Sequence, residues 1–517
     1  MLHERIAEQA IQEPSRVEQI ISRHARNSPT RPALIEDHQS WTYGELHQAV
    51  VVTAEWLKQS GVRPRDRLMI VCENCCAAVA LYFASTTIGA WPVLVNARLS
   101  APEIDQIDAH CGSRRMVFTA SASARAKAHA ERLGAAQSDP AALGLMLGPP
   151  NESVAPEPQG EDASQSDVAA IIYTTGTTGR PKGVMLTHAN LLFVARATAE
   201  ARRLNANDEV YATLPISHTL GLSGVLLAVL LSGARIHVPA RFDPKWTLAA
   251  LAMQNISVLI GTPAMYTLLV DYAKRKGKGP IDAPSLRLIS SAGAPLDAAT
   301  KTDVEAAFGQ ALHNGYGISE CGPSITITSL DAPRTDCSVG RLLPGIEAKL
   351  LDENGSFGHD TGELWVRSPG MMKGYYRSPE ETAAVIDSVG WFRTGDLARR
   401  DADENFFIVG RARELIIRFG FNVYPAEIEA VLNTHPAVFQ SAVVGKQAGS
   451  SEEIVAFVQR ADGAGATAEE IANYVASRLA PQKRPTEIRL LPTMPMSANG
   501  KILKAELARM CAGGQGV

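Results

Sequence analysis

The chain has 517 residues, of which 45% are hydrophobic and 20% charged, and its formal net charge at pH 7 is −4. This length and hydrophobicity exceed what a single core needs, so we expect at least two domains. The charge balance lacks the clustered basic excess typical of nucleic-acid-binding proteins, and no apolar run approaches the roughly 20 residues of a membrane helix.

The first half of the chain alternates helical and strand patterns. Thr42 and Glu45 form a capping-box pattern, and apolar residues then recur at helical spacing until Gly61. Short apolar runs follow helical segments at residues 67–72, 168–173, 257–261 and 287–290. Short buried strands that alternate with helices predict a largely parallel α/β sheet.

The remaining segments have a different composition. Residues 119–166 are rich in Ala, Ser, Gln, Glu and Pro, which predicts an Ala-rich helix followed by loop. After about residue 345 the apolar runs shorten and Gly and Asp turns separate them, as is typical of antiparallel β-structure. Helical patterns at 426–432 and 468–479 then mix with strand patterns at 438–444 and 454–459. This mixture predicts a small α+β domain at the C-terminus.

The sharpest motif is a Gly- and Thr-rich loop, YTTGTTGRPKG, at residues 173–183. Its glycines let backbone N–H groups approach a phosphate closely, its threonine hydroxyls add donors, and Lys182 adds a positive charge. The loop differs from a Walker A loop, in which Gly and Lys are adjacent, because Pro181 precedes the lysine. Its composition and its place after a buried strand predict a site for nucleotide phosphates.

This loop resembles that of the adenylate-forming enzymes, which comprise acyl- and aryl-CoA synthetases, luciferases and the adenylation domains of peptide synthetases. The resemblance runs from about residue 30 to about residue 505, and Thr175 stands where the family usually has Ser. It implies an α/β fold with a large N-terminal domain (1–411) of parallel α/β sheets plus a small distorted β-barrel, and a mobile α+β C-terminal domain (412–517). It also implies ATP contacts from Thr174, Thr175, Gly176, Thr177, Thr178, Gly179 and Lys182.

Two further motifs follow in the family's order. The motif NGYGISE at 314–320 resembles the segment in which a Tyr packs on adenine, a Thr contacts phosphate and a Glu helps to hold Mg²⁺. The resemblance gives these roles to Tyr316, Ser319 and Glu320, with Ser319 in place of the usual Thr. A hard oxygen donor suits Mg²⁺, which also bridges phosphate oxygens. Further nucleotide contacts are implied for Gly317 and, in the SAGAP turn on the adenine side, for Gly293, Ala294 and Pro295.

The C-terminal motifs imply the remaining nucleotide and thiol contacts. In WFRTGD, Asp396 stands where the family's Asp accepts hydrogen bonds from both ribose hydroxyls, a role that suits an acceptor-only carboxylate. By position, Arg411 contacts the ribose or phosphates and Arg413 occupies the hinge, where Asp or Lys is usual. Gly420 falls where backbone lines the pantetheine channel. In PMSANGK, Lys501 matches the lysine that bridges the substrate carboxylate and the α-phosphate.

His218 ends the segment LPISH, which matches the family's Pro-x-x-His motif. In CoA ligases this His stands at the acyl pocket and sometimes gates the thiol channel, and a structural His is the alternative interpretation. By family position the pocket draws on residues 218–224, 261–266, 291–294 and 314–327, which are mostly small or apolar and include no Lys or Arg. This composition predicts a monocarboxylic acid with an apolar body, and leaves aliphatic and aromatic acids open.

The resemblance therefore implies an AMP-forming carboxylic acid:CoA ligase that uses ATP, Mg²⁺ and CoA. An adenylating enzyme that loads the phosphopantetheine of a carrier protein shares every motif and stays open as the alternative. A nucleotide-binding scaffold without activity would be expected to lack Lys501 or Glu320, and no kinase catalytic-loop motif is evident. The sequence leaves the oligomeric state open, including a homodimer.

The cysteines and the N-terminus indicate the cellular compartment in which the protein is expected. The chain has seven cysteines at irregular spacing, and no second Cys or His pair accompanies Cys72 and Cys75, which argues against a zinc site. Free thiols in a reducing compartment fit this pattern better. The N-terminus continues into charged residues and lacks the apolar core of a signal peptide, so we expect a cytoplasmic protein.

Overall fold

The computed structural model describes residues 13–37, 39–138, 140–158, 167–175, 181–277, 279–352, 355–358, 360–418, 421–448, 451–461, 463–496 and 502–512. Its helices are α1 (Gln19–Asn27), α2 (Tyr43–Gln59), α3 (Cys76–Thr87), α4 (Ala101–Cys111), α5 (Ala124–Arg132), α6 (His188–Ala201), α7 (Ala228–Leu231), α8 (Pro244–Met253), α9 (Pro263–Arg275), α10 (Ala298–Phe308), α11 (Pro379–Ala383), α12 (Pro425–Leu432), α13 (Ala468–Ala476) and α14 (Lys504–Ala512).

Its strands are β1 (Pro32–Glu36), β2 (Gln39–Thr42), β3 (Arg67–Cys72), β4 (Trp91–Asn96), β5 (Arg115–Phe118), β6 (Ala136–Gln137), β7 (Met146–Leu147), β8 (Val168–Thr175), β9 (Pro181–Thr187), β10 (Glu209–Ala212), β11 (Arg235–His237), β12 (Val258–Gly261), β13 (Leu288–Ser291), β14 (Leu312–Tyr316), β15 (Thr326–Ile327), β16 (Arg341–Leu342), β17 (Glu347–Leu351), β18 (Thr361–Arg367), β19 (Gly374–Tyr375), β20 (Phe392–Arg400), β21 (Phe406–Arg411), β22 (Ile416–Arg418), β23 (Phe421–Val423), β24 (Val438–Ala448), β25 (Ser451–Arg460) and β26 (Glu487–Leu491).

The first α/β sheet has the strand order β19-β9-β8-β4-β3-β5-β7-β6. Strands β8, β4, β3 and β5 run parallel, while β9 and β7 pair antiparallel with their neighbours. Every residue of β3 is buried, which explains its uninterrupted apolar pattern. Helix α2 begins with the expected capping box, in which Thr42 and Glu45 each accept a hydrogen bond from the other's backbone N–H.

The second α/β sheet has the order β16-β15-β14-β13-β12-β10-β11-β1-β2. The six strands from β14 to β1 in this order are parallel, and antiparallel strands close both edges. Strands β12, β13 and β14 end side by side at Gly261, Ser291 and Tyr316. Because ligands of α/β proteins bind at the carboxyl ends of parallel strands, this edge is where a site is expected.

The C-terminal third is antiparallel and α+β, as predicted. Strands β17, β18, β20 and β21 form an antiparallel sheet in the segment where the resemblance implies a small barrel, and a bridge between Gly340 and Phe406 joins its edge to the loop before β16. Beyond it lie the β22-β23 hairpin and the sheet β24-β25-β26, whose core includes Ile428, Val443 and Ile471.

Three further features of the described chain concern membrane-spanning helices, the cysteines and the Ala-rich segment. None of the described helices combines the length and apolar character that crossing a bilayer requires. All seven cysteines fall among the described residues and are free thiols. The Ala-rich helix expected within 119–166 is α5.

Candidate active site

The predicted phosphate loop joins two antiparallel strands. Thr174 pairs with Lys182 across β8 and β9, so the loop is the tip of a hairpin anchored in the first α/β sheet. The Lys182 ammonium lies 2.9 Å from a carboxylate oxygen of Glu381 and 5.1 Å from the centre of the Tyr375 ring. A cation is therefore fixed at the base of the hairpin. The predicted contacts Gly176, Thr177, Thr178 and Gly179, and the side chain of Thr175, lie outside the described residues.

Glu320 is the candidate metal carboxylate. It lies in a single 3₁₀ turn, Ser319–Cys321, directly after β14. The Tyr375 hydroxyl donates to its Oε1 at 2.8 Å, and in the described part of the chain no other hydrogen bond or ion pair engages this carboxylate. One carboxylate oxygen thus remains available for a ligand.

Among the described residues no group of three or more acidic, His or Cys side chains could hold a metal ion by itself. This donor set fits Mg²⁺, which is usually held by one or two carboxylates together with substrate phosphates.

The ribose site predicted at Asp396 is a buried carboxylate with two partners. Asp396 is 3% exposed, and its two oxygens separately accept from the Tyr316 hydroxyl at 2.5 Å and pair with the Arg411 Nε at 3.1 Å. Arg411 reaches it because the two residues are register partners across β20 and β21. Burial raises the pKa of the Asp396 carboxyl, and the Arg411 guanidinium opposes that rise. The structure thus brings together three residues to which the resemblance gives contacts with adenine (Tyr316), with ribose (Asp396) and with the ribose or phosphates (Arg411).

The turn predicted to lie beside adenine ends β13. Gly293 has a φ of +85°, a left-handed conformation that favours glycine, and Ala294 and Pro295 that follow are partly or fully exposed. Gly317 has a different reason to be glycine, because a Cβ there would come within 1.5 Å of the Pro323 carbonyl oxygen. The turn is therefore an open surface at the carboxyl end of a parallel strand, as a nucleotide base requires.

The expected acid pocket is built around a buried π-helix, Leu220–Leu227. Gly224 is closely packed within it, since a Cβ there would lie 2.9 Å from Leu220 Cδ1, nearer than side chains normally approach, and 3.7 Å from Ser324 Oγ. His218 precedes this helix and is half-buried, and its Nδ1 accepts a hydrogen bond from the Leu220 N–H at 3.3 Å. The Thr219 and Ser319 hydroxyls are 2.9 Å apart, which links the pocket to the predicted phosphate contact.

The hinge residue Arg413 lies in a 3₁₀ turn, Ala412–Glu414, between β21 and β22. Burial and the neighbouring Arg411 lower its pKa. Lys504 fixes the C-terminal helix to this turn, with its ammonium 3.1 Å from Glu414 and 2.8 Å from Glu429. Gly420 and Lys501 lie outside the described residues, and Met496 and Ile502 on either side of the Lys501 loop form an antiparallel bridge.

Sequence reasoning missed four residues of this site. Tyr375 and Glu381 meet the phosphate and metal groups from β19 and α11, and Asn74 holds the LPISH segment by hydrogen bonds to Leu214 O and Ile216 N. Arg202, at the end of α6, is 2% exposed and donates to the Gly224 carbonyl at 2.7 Å. No motif marks these positions. Tyr375 lies on the paired strand β19, Glu381 on α11, Arg202 at the end of α6 and Asn74 after β3, so only the packing of these elements reveals their place.

Comparisons with known proteins agree with this geometry. The family model of the AMP-binding enzyme matches residues 21–376, and that of the AMP-binding enzyme C-terminal domain matches 427–501. The chain is 33% identical over 501 residues to a feruloyl-CoA synthase of an Amycolatopsis species (94% of this chain, 97% of that protein). It is 32% identical over 507 residues to 4-coumarate–CoA ligase 3 of Oryza sativa subsp. japonica (93% and 90%).

Solved structures show the same fold over the whole length. ATP-bound MatB from Rhodopseudomonas palustris superposes with a TM-score of 0.83 at 29% identity, covering 95% of this chain and 98% of that one. A benzoate CoA ligase from Burkholderia xenovorans LB400 superposes with a TM-score of 0.82 at 26% identity, covering 95% and 99%.

Proposed function

The chain belongs to the AMP-binding enzyme family, and from that premise we propose that it joins an aromatic monocarboxylic acid to CoA. It is an AMP-forming acid–thiol ligase with ATP, Mg²⁺ and CoA as its cosubstrates and cofactor. The relatives are named for feruloyl, 4-coumarate and benzoate acids. In this chain the buried, apolar segment around Leu220 and Gly224 supports an acid with an apolar body, and the acids for which these relatives are named support an aromatic one.

In the first half-reaction a carboxylate oxygen of the acid attacks the α-phosphorus of ATP. The bond from that phosphorus to the bridging oxygen breaks, and pyrophosphate leaves. Lys182 and the hairpin backbone hold the departing phosphates, and Lys501 stabilises the charge that builds on the α-phosphoryl oxygens. Asp396 and Tyr316 orient the nucleoside. When Mg²⁺ is bound by Glu320 and the phosphates, it neutralises part of their charge.

In the second half-reaction the CoA sulfur bonds to the acyl carbon. The bond from that carbon to the AMP oxygen breaks, AMP leaves with the electron pair, and the thiol proton passes to solvent. We place the domain boundary between Arg411 and Ala412, so that a rotation about Arg413 withdraws Lys501 and brings Gly420 to the thiol channel. The support for this boundary is the isolated 3₁₀ turn that separates β21 from β22.

Arg202 favours a narrower candidate substrate, an aromatic acid with an acceptor oxygen at the far end of its ring. Its guanidinium donates to the carbonyl of Gly224 in the pocket helix, its Nε has no hydrogen-bond partner, and no described carboxylate lies within ion-pair distance. A buried guanidinium without a counter-ion is costly, so a ligand oxygen near it would be stabilised.

AMP release with ATP, Mg²⁺ and CoA should identify the acid. We expect substituted benzoates and cinnamates to be turned over and acetate and long-chain fatty acids to be poor substrates. We further expect 4-hydroxycinnamate to exceed cinnamate in kcat/KM by roughly tenfold, the value of one hydrogen bond to a charged group. In Arg202→Met the ratio of the two kcat/KM values should fall to about one, because the charged donor is gone.

The CoA omission, the acid panel and the Arg202 variant each test a different part of the proposal. Omitting CoA distinguishes the acceptors, because acid-dependent pyrophosphate release that ignores CoA would transfer the second step to a carrier protein. Arg203→Met is the matched control, since Arg203 is the exposed neighbour of Arg202 and pairs with Asp331 at the surface. A fatty-acid preference in the wild-type chain would contradict the aromatic assignment. An unchanged preference in Arg202→Met would remove only the narrower candidate.

His218→Ala tests the proposal that His218 lies between the acyl pocket and the channel through which the thiol enters. We expect thioester formation from supplied acyl-adenylate to fall by roughly 10- to 100-fold, because the imidazole fills and orients the point where the thiol enters. Acid-dependent pyrophosphate exchange should fall less. A stopped-flow comparison of the two half-reactions measures this, and equal losses would favour a structural His.

We infer a reducing compartment, and specifically the cytoplasm, for this enzyme. The support is chemical: all seven cysteines are free, and burial raises the pKa of Cys75 to about 12 and that of Cys337 to about 11. Such thiols are poor nucleophiles and do not need pairing to be stable.

A further inference from the structure

Tyr375 connects the two charged groups that bind the phosphates and the metal. Its hydroxyl donates to Glu320 Oε1 at 2.8 Å, and the face of its ring lies 5.1 Å below the Lys182 ammonium. The residue is 7% exposed, and no sequence motif singled it out. A single aromatic side chain therefore touches both the predicted metal ligand and the predicted phosphate cation.

The backbone holds Tyr375 firmly in this position. It pairs with Val184 across β19 and β9, the strand that also carries Lys182, and its N–H donates to Thr382 Oγ1 at 2.9 Å. A phenol on a paired strand has few accessible rotamers, whereas an unrestrained Glu side chain has several. The hydrogen bond consequently restricts Glu320 to one position and occupies only one of its two oxygens.

We propose that Tyr375 is a positioning residue that fixes the Glu320 carboxylate for the magnesium ion of Mg·ATP. Magnesium requires near-ideal octahedral geometry, so its affinity depends on the position of each oxygen ligand more than that of a flexible cation such as calcium does. The phenol leaves the second Glu320 oxygen for the metal, and its ring contacts the Lys182 ammonium, which would pair with the phosphates of the nucleotide. The inference rests on the metal role proposed above for Glu320.

Tyr376 provides a matched control in the next position of the chain. It is also a buried tyrosine whose hydroxyl donates to a carboxylate, but that carboxylate is Glu157, and the hydroxyl also lies 3.3 Å from the Cys111 carbonyl. Its ring packs edge-on against Trp91, away from Glu320. Tyr376→Phe therefore removes the same chemical group at a similar depth without touching the metal carboxylate.

The test is calorimetric titration of the full chain with ATP in the absence of any acid, once with saturating Mg²⁺ and once with EDTA. In Tyr375→Phe we expect the affinity for Mg·ATP to fall by roughly 5- to 20-fold, as expected for the loss of a hydrogen bond to a charged group. The affinity for metal-free ATP should change by less than about twofold, because the phenol does not contact the nucleotide. Tyr376→Phe should leave both affinities unchanged even where it lowers the thermal midpoint.

Two outcomes would overturn the inference. In one, Mg²⁺ raises the ATP affinity of Tyr375→Phe as much as that of the wild-type chain. In the other, Tyr376→Phe loses as much of this Mg²⁺-dependent gain as Tyr375→Phe does. Glu320→Gln separates this failure from that of the underlying role. If Glu320→Gln loses the Mg²⁺-dependent gain and Tyr375→Phe keeps it, only the positioning role fails. If Glu320→Gln keeps it, the metal role fails as well. Should Tyr375→Phe be too unstable to titrate, Thr382→Val, which removes the hydroxyl that accepts from the Tyr375 N–H, must lose part of the gain in its place.

Discussion

Replacing Asp396 by Asn is expected to raise the KM for ATP by roughly 100-fold or more, the combined value of two hydrogen bonds to a charged acceptor. The carboxylate accepts from both ribose hydroxyls in the proposed complex, whereas an amide presents one acceptor and one donor. The change also leaves the Arg411 guanidinium, 3.1 Å away, without its counter-charge. Both effects act on the nucleotide site and neither acts on the acid.

Acid-dependent exchange of pyrophosphate into ATP measures this effect, with ATP and 2′-deoxy-ATP compared. The wild-type chain should prefer ATP, and Asp396→Asn should lose most of that preference because the acceptor for the 2′-hydroxyl has gone. Asp360→Asn is the control, since Asp360 lies beside the same antiparallel sheet with its side chain 79% exposed. An undiminished preference for ATP in Asp396→Asn would contradict the ribose role.

The strands and helices that position the site could be predicted from local pattern. The capping box at Thr42, the buried strand at 67–72 and the strands predicted at 257–261 and 287–290 all follow from residue periodicity. The structure confirms them, with the last two at Val258–Gly261 and Leu288–Ser291. Such patterns are reliable because burial on both faces of a parallel strand demands a continuous apolar run.

The contacts between motifs could not be predicted in the same way. Asp396 and Arg411 become neighbours only through the register of β20 and β21, and Tyr316 joins them from a different sheet. The resemblance assigned all three to one nucleotide without showing that they touch each other. The hydrogen bond from Tyr316 and the ion pair with Arg411 hold the three side chains together at the place where the resemblance implies a nucleotide.

The residues that sequence reasoning missed share a physical feature. Tyr375 acts on Glu320 from 55 positions away, and Arg202 reaches Gly224 through the packing of α6 on a π-helix that no periodicity predicts. Each contributes one polar group to the candidate site, although neither belongs to a sequence motif that identifies the site. The four segments predicted to line the acid pocket contain no Lys or Arg, whereas Arg202 reaches the Gly224 carbonyl from the end of α6, outside them.

The largest effect is expected for Lys501→Ala, which should lose roughly 100- to 1,000-fold or more in adenylation, because an ammonium opposite the developing phosphoryl charge has no substitute in alanine. The same variant should still convert supplied acyl-adenylate and CoA into thioester. In the proposed cycle, rotation about Arg413 removes Lys501 from the site before the thiol attacks, so its side chain serves one half-reaction only.

Single-turnover assays of each half-reaction test this directly: pyrophosphate release from ATP and acid, and AMP release from purified acyl-adenylate and CoA. Lys446→Ala serves as the control, because Lys446 is a partly exposed lysine of the same domain that pairs with Glu453 and has no proposed part in either step. Equal losses in the two halves would contradict a rotation that separates them, and would place Lys501 beside the acyl group throughout. A selective loss would establish that the C-terminal domain presents different residues to the adenylate and to the thiol.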